Sequence, residues 1–553
     1  MTTASLSFNN SIIAIYTFMS LPVFNARISK ISRTLSSMSL LLSCLLASFT
    51  PLTVKAESVE FELLRQKMSE NGTIRVSAYL TDQSQVSPAR LLNRIEVYTN
   101  QHRDSLKQVF ESKNPETQLP ALYAEEIEKI KPLLQKYSFY QSLTFGKFSE
   151  TVGFYTDNID ELKDVYNSGL LHDIKYEEGS DPFIGQKVLD SVNAGASWNR
   201  NPSDTSSPDT GADGRGSGQL VAILDTGTDN NHVFMPNKVK LEACYETVDY
   251  FSWVLRCTNG MSGRNSAAPC TIALPSKCYH GTWTAGIAAG VAGKESLDTN
   301  GIAPGSDIFA INVFSRVSDP ALCAPKGSKN PLPTPCIKHF DQQTEDALNM
   351  LLTYAFARTN GILGFETTQP LGAINMSYGG GNYTSYCDKD FSQISASVQV
   401  LKKYNIPVVA SAGNGGTYGV SFPACIRDVI AVSGSNADTP IDKYSQTQAM
   451  EGITDLFAPG SEDVITSSDP GNQFNVRAGT SASSPMVAAA MAMLANIFPS
   501  FSVEQRLKVL QDTAVPFKYN INDGTLLGKQ EKGRRMRLCQ DYVQVKNTWR
   551  CSK

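Results

Sequence analysis

Charge is scarce in this chain, and what there is leans acidic. Only 18% of the 553 residues are Asp, Glu, Lys or Arg, against roughly 25% in an average globular protein, and the net charge is −4. No basic excess points to a nucleic-acid partner. No apolar run in the body of the chain reaches the ~20 residues that span a bilayer, so a multispan membrane protein is excluded. The cysteines form no CxxC pair, which removes the usual sign of a zinc site. A GxSxG elbow, the mark of an α/β-hydrolase, is also missing. With 41% hydrophobic residues there is ample material for a large core, which excludes a disordered chain.

Acid is missing altogether from residues 1–56, whose bases are Arg27, Lys30, Arg33 and Lys55. The first three precede the apolar run Met38 to Phe49, and Val54-Lys55-Ala56 follows it. Basic, apolar and small-residue regions in that order predict a secretory signal over 1–56, with a mitochondrial presequence as the competing reading. The cysteines agree with export. Cys44 leaves with the signal, and the other ten of the eleven fall in short-range clusters of loop-like sequence, as disulfides of an oxidising compartment do. Near neighbours are expected to pair: Cys387 with Cys425, Cys323 with Cys336 and Cys539 with Cys551.

Residues 57–143 read as polar and mostly helical, without a chemical motif. From Thr144 to Glu178 the pattern becomes strand, helix, strand. A loop rich in Pro, Ser, Asp and Gly runs from Asn199 to Gly218. Beyond it, apolar strands at Leu220–Leu224, Ile308–Val313, Leu371–Met376, Pro407–Ser411, Val429–Ser433 and Thr454–Ala458 alternate with helical patterns. Such alternation predicts an α/β fold, a doubly wound parallel sheet with helices on both faces. Ligands of such sheets lie outside the carboxyl ends of the strands. Asp225, the turn from Ser377 to Gly380, and Gly413-Asn414-Gly415 all follow strands at that edge.

A strand-ending Asp, a His opening a helix and a Ser opening another are the groups of nucleophilic acyl transfer. Serine needs a base within hydrogen-bond reach, and His280 can supply it. Asp225 can hold the imidazole in one tautomer. Ser481 at a helix start has the positive end of the helix dipole beside it, although a serine there also serves simply as an N-cap. Asn414 can offer an amide to an oxyanion, or be an ordinary turn residue.

Asp225 in DTG, His280 in HGT, Asn414 in AGN and Ser481 in GTSxxxP follow one another in this order. Together they resemble the subtilisin-like serine proteases over roughly Gly216 to Ala514. The resemblance implies a secreted serine endopeptidase acting on proteins or peptides. In it Ser481 attacks, His280 is general base and then acid, Asp225 orients, and Asn414 completes the oxyanion hole. It also implies that Ser377, Gly379 and Gly380 bind substrate backbone as an added strand. The chemistry requires no cofactor. Structural calcium is common in the family, but no loop here shows calcium-ligand spacing.

By the same resemblance, residues 57–185 form a propeptide that inhibits until cleaved, with 144–178 as its α+β part. Residues 186–553 form the peptidase domain with a basic C-terminal extension (Lys529, Lys532, Arg534, Arg535, Arg537). Maturation is expected between 178 and 200, and the enzyme is expected to be a monomer. The sequence departs from the family pattern at Trp283, Thr284, Ala482 and Met486. Two DTG triplets, at Asp209 and Asp225, also evoke an aspartic protease, but they lie too close in the chain to belong to two lobes. A catalytically silent relative that binds peptides is the alternative from another class.

Overall fold

Strands that are apolar on both faces need cover on both sides, and the chain supplies it. The structure is a computed structural model describing residues 59–111, 119–176, 181–182, 213–246, 260–261, 267–269, 275–291, 300–324, 332–364, 368–416, 418–435, 449–460, 464–469, 473–520, 530–539 and 542–551. The signal segment, the loop at 199–212, Cys257, Cys270, Lys529 and most of the maturation window lie outside the described residues. Backbone contacts divide the chain at Glu62. Of the first unit only the start of the helix Val59–Asn71 is described, and everything below concerns the second.

The central sheet has ten strands among the described residues. They run in the order Val515–Asn520, Gln530–Arg535, Thr454–Pro459, Val429–Ser435, Val408–Ser411, Leu371–Met376, Leu220–Asp225, Asp307–Asn312, Val239–Cys244 and Gly260–Met261. All neighbours pair in parallel except the outermost pair at each end. Successive side chains of a strand alternate between faces, and the core divides accordingly. Leu220, Ala222 and Leu224 pack with the helices Asp341–Thr359 and Ser392–Lys403. Val221 and Ile223 pack with the helices His280–Ala289 and Thr480–Ile497 on the other face.

Residues 74–176 form a smaller sheet of wholly antiparallel pairs, in the order Thr144–Phe145, Thr151–Thr156, Ile74–Tyr79, His172–Tyr176. With its helices the unit reads β-α-β-β-α-β, a split βαβ arrangement. The α+β unit is therefore larger than the 144–178 expected from sequence, because Ile74–Tyr79 pairs with strands on both sides. The alternation in IRVSAY is hidden because even Arg75 is buried, its guanidinium 4.2 Å from the Phe340 ring. Between the first two strands the helices Pro88–Gln101 and Arg103–Phe110 place Leu91, Ile95, Tyr98 and Phe110 in the same core as helix Asp341–Thr359. That helix is thus enclosed from both sides, and every residue from Gln342 to Ala357 is buried. A helix covered all round shows no amphipathic stripe.

The basic C-terminal stretch also differs from expectation. Lys532, Arg534 and Arg535 lie on a strand of the central sheet, hydrogen-bonded between Val515–Asn520 and Thr454–Pro459, rather than on an extension. Strand pairing uses the backbone, so a charged strand near the end of a sheet need show no hydrophobic period. The disulfides Cys323–Cys336, Cys387–Cys425 and Cys539–Cys551 are formed as expected from spacing, and Cys244 and Cys278 are also disulfide-bonded. No helix among the described residues is long and apolar enough to cross a membrane.

Candidate active site

Asp225 ends the strand from which the sheet order grows in both directions, where a doubly wound sheet opens a crevice. Its carboxylate is buried and held on three sides. Oδ1 accepts the backbone N–H of Thr226 at 2.7 Å and lies 2.7 Å from His280 Nδ1, while the Thr284 hydroxyl donates to Oδ2 at 3.3 Å. Beside a carboxylate, Nδ1 carries the proton, which leaves the lone pair on Nε2. His280 is the first residue of its helix, and Gly281 lets that helix close onto the Asp225 turn. A Cβ at 281 would lie 2.2 Å from the Gly227 carbonyl oxygen.

Thr284 stands four residues after His280, on the same helix face. Sequence reading noted it only as a departure from the family pattern; the i, i+4 spacing from a catalytic candidate is the signal that would have found it. Trp283, the neighbouring departure, is fully buried with its ring 4.4 Å from the imidazole in an edge-on arrangement.

Ser481 is the second residue of its helix, not the N-cap, which is Gly479 at φ 136°. Its hydroxyl donates to the Ser377 carbonyl at 2.8 Å. Pro485, four residues on, lacks the N–H that would normally take the Ser481 carbonyl. The Ser377 hydroxyl takes that place, donating to Ser481 O at 3.1 Å, with Ser484 Oγ 2.9 Å away. The Ser481 helix and the Ser377 turn are thus cross-linked in both directions. His280 and Ser481 are both fully buried.

Asn414 lies beside the same helix start. Its side-chain oxygen accepts the Thr480 N–H at 3.0 Å and the Thr480 hydroxyl at 3.1 Å. A backbone N–H can only donate, so the atom facing it must be oxygen, and the amide NH2 is turned away as a donor. The next N–H along is that of Ser481, in the first turn, where backbone donors have no intrahelical acceptor.

Ser377 leads into the strand Tyr378–Tyr383, which pairs antiparallel with Val420–Phe422 on one side and with Asp181–Pro182 on the other. The register is Tyr378 to Pro182 and Gly379 to Asp181. Gly379 is required here, since a Cβ would lie 2.0 Å from the Phe422 carbonyl oxygen. The structure therefore brings Asp225, His280, Asn414, Ser377, Gly379, Gly380 and Ser481 to one edge of the sheet. An extended piece of the chain itself is paired along the Tyr378 strand. Among the described residues no group of three or more His, Cys, Asp or Glu is arranged to hold a metal ion.

A doubly wound sheet with this Asp–His pair beside a serine at a helix start defines a subtilisin-like architecture. The chain belongs to the subtilase family, whose model matches residues 216–535. It is similar to the thermophilic serine proteinase of Bacillus sp. (strain AK1), at 26% identity over 311 residues, 55% of this chain and 60% of that one. Subtilisin DY of Bacillus licheniformis is 31% identical over 169 residues, 30% of this chain and 56% of its own. Thermitase of Thermoactinomyces vulgaris is 27% identical over 283 residues, 51% of this chain and 76% of its own. The chain thus spans under two thirds of the first two relatives. Among solved structures, Sphericase aligns with a TM-score of 0.39 at 22% identity, over 59% of this chain and 91% of its own.

Proposed function

We propose that the chain is a secreted serine endopeptidase made as an inactive precursor. The observation that carries this reading is the buried bond of 2.7 Å between His280 Nδ1 and Asp225, beside the Ser481 helix start. On binding of a peptide, the Ser481 hydroxyl rotates from the Ser377 carbonyl toward His280 Nε2. Catalytic hydrogen bonds of this kind are often made only in the complex with substrate. Ser481 Oγ then attacks the scissile carbonyl as Nε2 takes its proton. Asp225 stabilises the imidazolium without becoming protonated itself. The Asn414 amide and the Ser481 N–H receive the oxyanion. His280 returns the proton to the leaving amine, the acyl-enzyme forms on Ser481, and water releases it by the same route.

The peptide backbone pairs with Tyr378 to Gly380 as an added strand. In the precursor the Asp181–Pro182 strand occupies that position, which supports reading the α+β unit as an inhibitory propeptide. The bonded cysteines support passage through an oxidising compartment.

The test is fluorophosphonate labelling of the purified secreted protein, with mass spectrometry of the labelled peptide and of the new N-terminus. Label on Ser481 in a species that starts after about residue 178, with none in Ser481→Ala, is the expected result. Absence of label on folded, processed protein overturns it and favours a catalytically silent peptide-binding relative. That reading draws on the Ser481 hydroxyl being bonded to Ser377 rather than to His280.

A further inference from the structure

The side chains of Ser377 and Tyr378 leave the chain on opposite sides, as neighbours in extended backbone do. Ser377 is fixed to the nucleophile helix. Tyr378 turns the other way and is wholly buried, its phenol oxygen 2.8 Å from Thr344 Oγ1. Thr344 Oγ1 is in turn 2.6 Å from His339 Nε2. The His339 ring lies 4.3 Å from the Tyr378 ring at 33°, and Phe314 closes the phenol edge-on at 5.6 Å. Three buried polar groups therefore form one hydrogen-bonded chain from the loop before helix Asp341–Thr359 to the strand that pairs with Pro182.

We propose that His339 and Thr344 are positioning residues that act through the Tyr378 phenol to hold the Tyr378–Gly380 backbone in register for an incoming peptide. This rests on reading that strand as the peptide-pairing strand. The backbone groups that pair belong to residues with little other side-chain anchorage, since Gly379 and Gly380 have none. The backbone pairing with Val420–Phe422 holds one edge of the strand, and without Tyr378 the side chain that fixes its start would be Ser377, from one face. The phenol supplies the second fixed point, one residue along and on the opposite face.

His339 suits this role because its charge does not vary. Burial pushes its pKa down to about 3, so the ring stays neutral. Its Nδ1 has no hydrogen-bond partner. The bond to Thr344 is thus the polar contact that a phenylalanine of similar size could not supply.

The experiment uses Tyr378→Phe, Thr344→Val and Thr344→Ser, each with its melting temperature recorded. The first two remove the link and the third keeps the hydroxyl. Hydrogen exchange on the full-length Ser481→Ala chain reads the anchor without needing turnover. Exchange at the 378–380 amides is expected to quicken about three- to tenfold in the first two variants and not in the third. In the active enzyme, kcat/KM for an extended peptide relative to a small acyl ester should fall by a similar factor, mostly through KM. The proposal is overturned if exchange at 378–380 is unmoved, if Thr344→Ser behaves as Thr344→Val, or if peptide and ester change equally. Failure of the protease reading would show differently, as a wild-type protein that takes no fluorophosphonate while its exchange still responds to Tyr378→Phe.

Discussion

Replacing Gly281 with alanine pits local helix preference against the geometry of the site. Within a helix alanine is better than glycine by up to about 1 kcal/mol, the full value belonging to interior positions, so propensity alone favours the change even in the first turn. The surroundings do not. A Cβ at 281 would lie 2.2 Å from the Gly227 carbonyl oxygen and 3.0 Å from Asp225 Cβ, and both belong to the segment that carries the carboxylate. A carbon and a carbonyl oxygen rest at about 3.3 Å. The start of the His280 helix must therefore withdraw by roughly 1 Å from the Asp225 turn. Overpacking of this kind costs about 1–3 kcal/mol, which matches or exceeds the helix gain. The larger effect falls on the reaction, because the same shift opens the bond of 2.7 Å between His280 and Asp225. A misplacement of ~1 Å can cost about 10²-fold in rate. Gly281→Ala should thus lower kcat/KM by about two orders of magnitude while lowering the melting temperature only modestly. The assay is peptide hydrolysis by the processed enzyme, alongside a thermal melt. A variant that melts higher and retains kcat/KM within about threefold of the parent would refute the reasoning.

Further outcomes follow from neighbouring features. Asn414→Ala should lower kcat by roughly 10²–10³, the loss known for one oxyanion donor in a related subtilisin, with KM little changed; a loss below about tenfold would argue against that role. Burial holds Asp346 up at about 6 and Glu345 well above the ordinary carboxylate range, where the α+β unit meets helix Asp341–Thr359. With folded-state values raised, the stabilisation from both is present below the ordinary range; that from Asp346 is lost as pH rises through about 6, and that from Glu345 as pH rises through its own raised value. Protection of the Phe148 and Thr151 amides of Ser481→Ala, taken relative to the intrinsic exchange rate at each pH, should therefore fall as pH rises, and less steeply in Glu345→Gln; identical pH profiles would exclude the carboxylates as the cause. The Cys387–Cys425 bridge closes a separation of 38 residues. Replacing both with alanine should cost about 4 kcal/mol in chemical denaturation, and an unchanged midpoint would contradict the chain-entropy account.

The parallel strands were legible because burial on both faces leaves short continuous apolar runs, and each expected run from Leu220 to Ala458 is a strand of the sheet. Asp225, His280, Asn414 and Ser481 were legible as motifs because glycines and small residues must surround groups that approach so closely. What was not legible depends on partners distant in sequence. Ile74–Tyr79 becomes a central strand only through Thr151–Thr156 and His172–Tyr176. Gln530–Arg535 is drawn into the sheet by backbone pairing that charged side chains neither favour nor reveal. Tyr378, Thr344 and His339 carry no local pattern, and their connection appears only when loop, helix and strand are brought together. The effect of Pro485 was hidden for a related reason: the carbonyl it frees is answered by a serine more than a hundred positions earlier.

The Asp181–Pro182 strand is tethered to the surface it pairs with, and this changes the arithmetic of occupancy. A tethered ligand meets its site at an effective concentration of the order of millimolar, independent of how dilute the protein is. The pairing of Asp181 and Pro182, itself short, is thereby favoured over the same contact made by a free peptide, and the packing of the α+β unit against helix Asp341–Thr359 adds to that hold. Cutting the chain between Pro182 and Asp213 leaves that pairing in place. It converts the occupant into a separate molecule whose hold depends on its concentration, so that dilution alone begins to empty the cleft.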